Sequence, residues 1–479
     1  MKKSILYLLP AVLLIGACTK NIDSYNNQTK KAAVVPAAPL FTQGTLSLSN
    51  QLATNGGGNI SLHIVQYFAQ SIIEDNAQYN FQTSGMPGAQ WNNLYEGVLN
   101  NLKRADSILS TSTPDATNSA ATLTNRRACI DVTAVYAWYI LVTSFGNIPY
   151  SEALNPDNLF PKYDDQHAIY TDLLSRLDND LSKLSTSGSG FALSEDLWFH
   201  GNIPNWISFG NSLKVVMGMT LADVDPTTSK SVVEAASPKA ISSTAQNAIM
   251  KYGSQPSNNP TYSNFVVAKR NDYVASKTFM DQLTSNADPR LSSFFGLNSS
   301  GKYAGAVQGV QTTFSTVSGP STKDSASNLP YVVLDFSEME FLRAEAVARG
   351  YNVGGTVESH YNEGIRQSIK YWGGADSSVA RYLADPSVAY TTALPGATPL
   401  QKIARQKWIS LYNHPYHEWV DIRRLDYPVL PAPVAAISGF PNRLYYPTTE
   451  QTVNGANYTQ AAAAIGGDKV ETKLFWDKF

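Results

Sequence analysis

The chain of 479 residues has little cysteine, little charge and few long apolar runs. Its two cysteines lie far apart, at Cys18 and Cys129, so a disulfide framework is excluded as the basis of the fold. Charged residues make up only 15% of the sequence, against about 25% in ordinary soluble domains. The net charge is −2 and no basic stripe occurs, which argues against nucleic acid as a partner.

The one apolar run at the N-terminus, residues 5–15, is too short to cross a bilayer. It follows Lys2 and Lys3 and precedes the small residues Gly16 and Ala17, an order typical of a secretory signal. The stretch LIGAC, which ends at Cys18, resembles a bacterial lipobox, in which the cysteine is acylated and becomes the first residue. We therefore predict a signal peptide over 1–17 and a lipid anchor at Cys18. The alternatives are an ordinary signal peptide and a buried thiol.

The rest of the chain divides by composition. Residues 18–40 are polar and then rich in Ala and Pro, which predicts a lipidated N-terminus and an extended tether. We expect one domain over 41–479. Its helical frame covers about 41–250 and 331–430, and its loop-rich parts, about 251–330 and 431–479, contain Asn, Ser, Gly and aromatic residues with little helical period.

Helical spacing of apolar residues recurs along the frame and predicts helices, as in the segments 61–74, 91–110, 164–184 and 206–224. The segment 126–146 is apolar almost all round and predicts a central buried helix that ends at Gly146. The segments 337–350 and 357–372 form a predicted pair joined by a glycine-rich turn. A ladder of small residues in the first segment, Ala344, Ala346, Ala348 and Gly350, predicts close approach of the two helices. Pattern alone indicates a mainly α fold and leaves an α-solenoid and a helical toroid equally open.

Several segments, in order along the chain, resemble the SusD/RagB family of Gram-negative outer-membrane lipoproteins, in its divergent branch. They include WNNLYEGVLNNLKRAD, FGNIPYSEA, SEMEFLRAEA, YNEGIRQSIKYW and EWVDIRR, and the resemblance covers residues 18 to about 430. It implies four tetratricopeptide-like helix pairs that form a superhelix, with a loop-rich part containing a few short strands. The tail after residue 430 carries no strong motif.

The resemblance also implies a function. Family members capture oligosaccharides, or in some cases peptides, at the cell surface without catalysing a reaction. They deliver the ligand to a partner, a SusC-like TonB-dependent outer-membrane transporter. The implied protein is lipid-anchored in the outer membrane and faces the exterior, with no cofactor and no metal. The nature of the ligand stays open.

The segment HEWVDIRR places two acids and two arginines within two helical turns, at Glu418, Asp421, Arg423 and Arg424. Acids so close on one helix face do not provide the separated pair that glycoside hydrolysis needs. The adjacent arginines favour structural ion pairs instead, and plausible partners are Glu340 and Glu345.

Two histidines nearby, His414 and His417, do not match a zinc-protease motif. We expect Pro415 to break the helix that such a motif needs, so both histidines are predicted in an exposed loop. The stretch that begins at Asp223 starts like a calcium loop but lacks its turn glycine and closing glutamate.

Aromatic residues in polar loops remain as candidates for ligand contact. A sugar ring packs its C–H face on an aromatic plane and bonds its hydroxyls to side-chain amides, so a binding site needs both residue types together. For each candidate, packing in the core is the alternative. The predicted ligand-binding residues are Tyr79, Asn80, Phe81, Trp91, Tyr273, Tyr371 and Trp372.

Two other classes of protein stay open at this stage. One is a surface glycoside hydrolase or polysaccharide lyase on a helical toroid, which would turn over a polysaccharide. The other is a structural or adhesive lipoprotein, which no small ligand would stabilise against thermal unfolding.

Overall fold

A computed structural model of the chain describes residues 35–53, 60–72, 75–255 and 257–479. The predicted signal peptide, the lipid anchor at Cys18 and most of the tether lie outside the described residues. The segment 37–479 forms one compact unit by its internal contacts.

Helices dominate the described residues. A π-helical segment, Asn93–Leu99, joins α3 to α4, and a single 3₁₀ turn, Leu411–Asn413, separates α15 from α16. The α-helices are α1 (Ala37–Ala53), α2 (Ser61–Ile64), α3 (Met86–Asn92), α4 (Asn100–Ser110), α5 (Ala120–Phe145), α6 (Gln166–Lys183), α7 (Ile203–Thr220), α8 (Pro226–Ala236), α9 (Pro260–Tyr262), α10 (Lys277–Ser285), α11 (Leu291–Phe294), α12 (Phe336–Ala348), α13 (Val357–Tyr371), α14 (Asp376–Ala384), α15 (Pro399–Ser410), α16 (Pro415–Leu425), α17 (Thr448–Val453) and α18 (Gly455–Ala464).

Four pairs of helices follow one another along the chain, and the two helices of each pair pack together. The pairs are α5 with α6, α7 with α8, α12 with α13, and α15 with α16. Contacts between α6 and α7, and of α12 and α13 with α15, join neighbouring pairs into a stack. The predicted mainly α fold of tetratricopeptide-like helix pairs is confirmed.

Helix α5 is the central buried element of the stack. Ser119 caps its start by accepting a hydrogen bond from the Thr122 amide, and Gly146, at φ +86°, ends it as predicted. Within the described residues, α5 is also the one helix long and apolar enough to cross a membrane, but 94% of that stretch is buried inside the protein. Its apolar character therefore reflects its place in the core.

Close helix approach in the α12–α13 pair depends on a glycine of α13. A side chain at Gly364 would meet the ring of Phe341 at 2.8 Å, so only glycine allows the two helices to pack this closely. Ala344 and Ala346 of α12 are fully buried, as the predicted ladder of small residues requires.

The strands are few and short, and they pair into three two-stranded antiparallel sheets. Phe68 pairs with Ala275, Ile148 with Asp164, and Met250 with Tyr331. The pairing of β1 with β5 joins the loop-rich part over 251–330 to the helical frame. The strands are β1 (Phe68–Gln70), β2 (Ile148–Pro149), β3 (Tyr163–Asp164), β4 (Ala248–Met250), β5 (Tyr273–Ala275) and β6 (Tyr331–Leu334).

Three predictions of local structure were wrong. Helical spacing over 61–74 predicted one helix, but the segment forms the short α2 and then β1, because pairing with β5 satisfies its backbone. Helix α1 begins at Ala37 rather than after the predicted tether, since Ala37 and Leu40 are buried. The loop-rich parts also contain helices, among them α10 and α18.

Candidate ligand-binding site

A cavity of about 520 Å³ opens between the loop before α3 and the tail of the chain. Its lining combines aromatic rings with amides and hydroxyls and contains no lysine or arginine. From the loop and α3 come Phe81, Gln82, Gly85, Pro87, Gly88, Ala89 and Asn92; from the tail come Tyr445, Tyr446, Pro447, Thr448, Thr449, Gln451, Tyr458 and Asp468.

The tail wall is held against the end of α5 by a buried arginine. The guanidinium of Arg443 donates to the carbonyl oxygen of Phe145 at 3.0 and 3.2 Å and pairs with Asp468 at 2.5 Å. It also lies 4.5 Å from the ring centre of Tyr446. The hydroxyl of Tyr446 donates to the carbonyl of Asn147 at 2.7 Å. These contacts fix the wall rigidly to the helical frame.

The carboxylate of Asp468 is already used inside this wall. Besides Arg443, it accepts hydrogen bonds from the Tyr446 amide at 3.2 Å and the Tyr458 hydroxyl at 3.1 Å. Burial and the charge of Asp468 raise the pKa of Tyr458, and burial also raises the pKa values of Tyr445 and Tyr446. The tyrosine hydroxyls therefore stay neutral at physiological pH.

The opposite wall comes from the loop that was predicted to bind ligand. Tyr79 adopts φ +59° and is buried, with its ring 6.0 Å from that of Phe81 and 6.3 Å from that of Phe440. Asn80 donates to Asp75 at 3.0 Å. Gly85, at φ +66°, then turns the chain into α3. Phe81 lines the cavity, while Tyr79 and Asn80 brace the loop.

Three exposed amides on the rim, from Gln82, Asn92 and Gln451, make no side-chain hydrogen bond to other described residues. Each amide offers two donors and one acceptor. The half-buried ring of Tyr445 lies in the same lining. Free amides beside an aromatic ring are the combination of residue types that a sugar-binding site needs.

The other predicted contacts do not gather at this cavity. Trp91 is buried beneath it, with its ring 6.1 Å from that of Tyr446. Tyr273 is buried in β5 with the Arg270 guanidinium over its ring. Trp372 packs 4.8 Å from Phe294. This placement favours core packing, the alternative named for each of these residues.

Tyr371, next to Trp372, is half-buried at the end of α13. Its hydroxyl donates to the carbonyl of Pro330 at 3.1 Å, and its ring packs against that of Trp372. Both therefore lie in the region of β6 and α13, and only Phe81 among the predicted contacts lines the cavity. The ligand roles of the remaining residues stay predictions.

Most of the cavity lining was missed from the sequence, because the tail after residue 430 carries no family motif. The tail segment RLYYPTTEQTVNGANY nevertheless mixes tyrosines with amides, as the loop before α3 does. A search for aromatic residues and amides in one polar segment would have found Tyr445, Gln451 and Tyr458. It would not have shown that the two segments, more than 350 residues apart, face each other.

A second, more open region lies along α10. Two cavities of about 360 and 500 Å³ share Thr278 and Asp281 and are bounded by the segment 427–432. Lys277 pairs with Asp281 at 2.5 Å on this surface. Fewer aromatic rings and a fixed ion pair make the region less suited to a sugar.

Two residues of the charged motif of α16, Asp421 and Arg424, form ion pairs as predicted. Arg424 binds Glu345 and Asp421, both buried, so the expected partner Glu345 is correct. The other expected partner was wrong, because Glu340 pairs with Arg343 and His360 instead. Arg423 forms no ion pair within the described residues.

Arg423 instead lies between two indole rings. Its guanidinium is 3.7 Å from the ring centre of Trp419 and 4.6 Å from that of Trp476, and it donates to the carbonyls of Thr143 and Asn442 at 2.8 Å. This stack ties the C-terminal segment to α16.

The prediction of exposed histidines was wrong. Pro415 starts α16 rather than breaking a helix, and His414 and His417 are each only 5% exposed. Both face the buried carboxylate of Glu338. Burial alone would raise the pKa of Glu338, but the two imidazoles hold it well below its usual range. These three side chains form the one group of potential metal ligands among the described residues.

The fold and the cavity together define a class: a rigid stack of helix pairs that carries a neutral, amide-lined pocket built by loops. Comparison with known families agrees. Residues 26–447 match the SusD-like family described as "Starch-binding associating with outer membrane", and the chain belongs to this family. Among curated proteins, none matches the chain.

Solved structures match nearly the whole chain. A chitin-binding protein superposes with a TM-score of 0.79 at 24% identity, covering 92% of this chain and all of its own. A chitin-binding SusD homologue from Flavobacterium johnsoniae gives 0.77 at 22%, covering 92% and 98%. A SusD-like protein from Bacteroides thetaiotaomicron gives 0.77 at 20%, covering 92% and 99%. Because these identities are all below 25%, the similarity shows that the chain shares the fold of these proteins.

Proposed function

We propose that the protein is a non-catalytic surface lipoprotein that captures an oligosaccharide in the cavity between Phe81 and Tyr445. The observation that carries the proposal is the set of unpaired amides, from Gln82, Asn92 and Gln451, beside half-buried tyrosine rings. Chitin binding by two proteins of the same fold supports a glycan over a peptide.

The same lining argues against glycoside hydrolysis. Hydrolysis needs two carboxyl groups about 5–10 Å apart across the bound sugar. Asp468 is the one carboxylate among the residues that line the cavity, and Arg443, Tyr446 and Tyr458 already occupy it. The cavity is therefore built to bind its ligand and leave it intact.

The ligand class follows from the charge of the lining. With no lysine or arginine to pair with a uronate or a sulfate, the cavity favours a neutral glycan. A glycan array and calorimetry with the mature chain test this point. Neutral oligosaccharides are expected to bind, whereas binding confined to acidic glycans or to peptides would contradict the proposal.

Replacing Tyr445 by alanine is expected to weaken glycan binding about tenfold, because one stacking face is worth about 1–2 kcal/mol. Calorimetric titration with the best array ligand measures the effect. Phe314→Ala is the matched control, since Phe314 is exposed and does not line the cavity. Equal affinities for wild type and Tyr445→Ala would place the ligand elsewhere, with the surface along α10 the next candidate.

The cellular part of the proposal rests on the lipobox at Cys18 and on the family. The lipid anchor holds the protein on the outer face of the outer membrane, where a SusC-like TonB-dependent transporter takes up the captured glycan. Trapping the ligand between two proteins raises its effective concentration, so modest affinity suffices. Membrane extraction of wild type and of Cys18→Ala tests both the lipid anchor and the transporter partner. A large β-barrel protein should co-purify with wild type, and loss of the anchor should release the variant from the membrane.

A further inference from the structure

The side chains of Glu338, His414 and His417 come together where two helices begin. Glu338 lies in the first turn of α12, His414 precedes α16, and His417 lies in its first turn. Nδ1 of His417 is 2.9 and 3.0 Å from the two carboxylate oxygens of Glu338, and Nδ1 of His414 is 3.4 Å from one of them. The three potential ligand atoms all lie within 4.8 Å of one another.

These separations suit a small tetrahedral metal ion. Zinc bound at about 2.0–2.1 Å places its ligand atoms roughly 3.3 Å apart. The separations between Glu338 and the two histidines, 2.9–3.4 Å, are close to this value, and the remaining separation lies within 4.8 Å. Two imidazoles and one carboxylate are also a common zinc ligand set, and nitrogen ligands select against calcium and magnesium.

His414 is the part of the cluster that hydrogen bonding does not explain. It is 5% exposed, yet its Nε2 has no hydrogen-bond partner among the described residues, and its Nδ1 has only the 3.4 Å ion-pair contact with Glu338. A buried polar atom without a partner is costly, and ligation of a metal would remove that cost. The His414 ring is held in place by stacking on Tyr331, at 5.7 Å between ring centres.

His417 has the second contact that a ligating histidine needs. Its Nε2 is 2.8 Å from the hydroxyl oxygen of the buried Tyr136. With Nε2–H donating to Tyr136, the lone pair of Nδ1 faces Glu338 and is free to ligate. Beside Glu338 and His417 lies a small cavity of about 10 Å³, room for a water molecule as the fourth ligand.

The surrounding charges leave Glu338 without a cationic side chain of its own. Three basic groups nearby, Lys407, Arg424 and Arg349, already pair with three acids, which are Asp421, Glu345 and Asp223. The buried Glu418 is a further acid nearby and forms no ion pair within the described residues. Within the part of the chain that the structure describes, the ion-pair contacts of Glu338 are the two histidines alone. A buried carboxylate in this position requires compensation by a cation or by protons.

We propose that Glu338, His414 and His417 bind one divalent transition-metal ion, with zinc the best match to the ligand set. The ion links the start of α12 to the start of α16 and so joins the last two helix pairs of the stack. It is a structural site whose three residues do not line the ligand cavity, and it does not depend on the proposed glycan function.

Metal content tests the proposal directly. The chain is produced without a polyhistidine tag in zinc-supplemented cells, desalted, and its zinc measured by mass spectrometry. Wild type is expected to retain about one zinc per chain, and His414→Gln and His417→Gln less than a tenth of that. His200→Asn is the matched control, because His200 is exposed and bonds only the carbonyl of Leu193. Retention of full zinc by His414→Gln would overturn the proposal.

If the variants do not fold, two measurements on wild type show whether the protein binds a metal ion. In the first, wild type refolded with cobalt is expected to show the visible absorption of a tetrahedral cobalt site. In the second, zinc is expected to raise the Tm of wild type by roughly 3 °C over that of the chelated protein, whereas calcium is expected to cause no rise. Folded wild type that holds no metal and shows neither effect would overturn the proposal. The cluster would then be a hydrogen-bonded chain from Tyr136 through His417 to Glu338.

Discussion

Replacing Arg290 by alanine is expected to lower the free energy of unfolding by about 3–5 kcal/mol, one of the two largest effects that the structure predicts. The side chains of Arg290 and Asp288 are fully buried and share two hydrogen bonds, at 2.9 and 2.6 Å. Arg290 also donates to Ser368 of α13 at 2.9 Å and to Ser410 of α15 at 3.1 Å. The variant would leave the Asp288 carboxylate buried without its cation. Urea unfolding followed by circular dichroism measures the loss.

Two further variants test whether the loss of stability in Arg290→Ala comes from leaving a buried charge unpaired. Arg127→Ala removes an exposed arginine that pairs with Asp106, and its cost should stay below about 1 kcal/mol. The double variant Asp288→Asn, Arg290→Met removes both buried charges and should recover part of the loss. A loss below 1 kcal/mol for Arg290→Ala would show that water reaches the pair.

Replacing Glu345 by glutamine should cost about 3 kcal/mol at neutral pH. Burial would raise the pKa of this carboxyl, but Arg424 and Arg349 lower it to about 2, against an ordinary value of 4.5. A lowered pKa stabilises the fold fully above pH 4.5, and the contribution is lost as the pH falls through about 2. The difference of about 2.5 pKa units corresponds to about 3 kcal/mol.

The pH dependence distinguishes this charge effect from simple loss of packing. Urea unfolding at about pH 7 and about pH 3 should show a smaller difference between wild type and Glu345→Gln at the lower pH. The control is Glu363→Gln, which removes a half-exposed acid paired with Arg366 at 3.2 Å. A difference that stays constant with pH would mean that the ion pairs of Glu345 contribute little.

The helical frame was largely predictable because its pattern is local. The apolar residues of α6 and α7 recur at helical spacing, α5 is apolar almost all round, and Gly146 ends α5 where the sequence indicated. The segment 61–74 shows the limit. Its apolar residues fit a helix, but β5, about 200 residues further on, pairs with Phe68–Gln70 and makes it a strand.

Candidate ligand contacts were harder to predict, because an aromatic residue in a polar segment serves equally well in a core or in a pocket. Trp91 and Phe81 lie ten residues apart and both are buried, yet Trp91 packs beneath the cavity while Phe81 lies in its wall. His414 and His417 looked exposed because Pro415 suggested a loop. Their burial depends on Glu338, which approaches them from α12.

The sequence alone therefore determined the helix pairs, the family, the expected lipid anchor and the ion-pairing of Asp421 and Arg424 in α16, since each follows from residues near one another in the chain. Tertiary structure decided which aromatic rings line the cavity, which acid binds which arginine, and that two histidines meet a carboxylate in the core. Those outcomes depend on contacts between segments tens to hundreds of residues apart, and a local pattern holds no information on which distant side chain will be its neighbour.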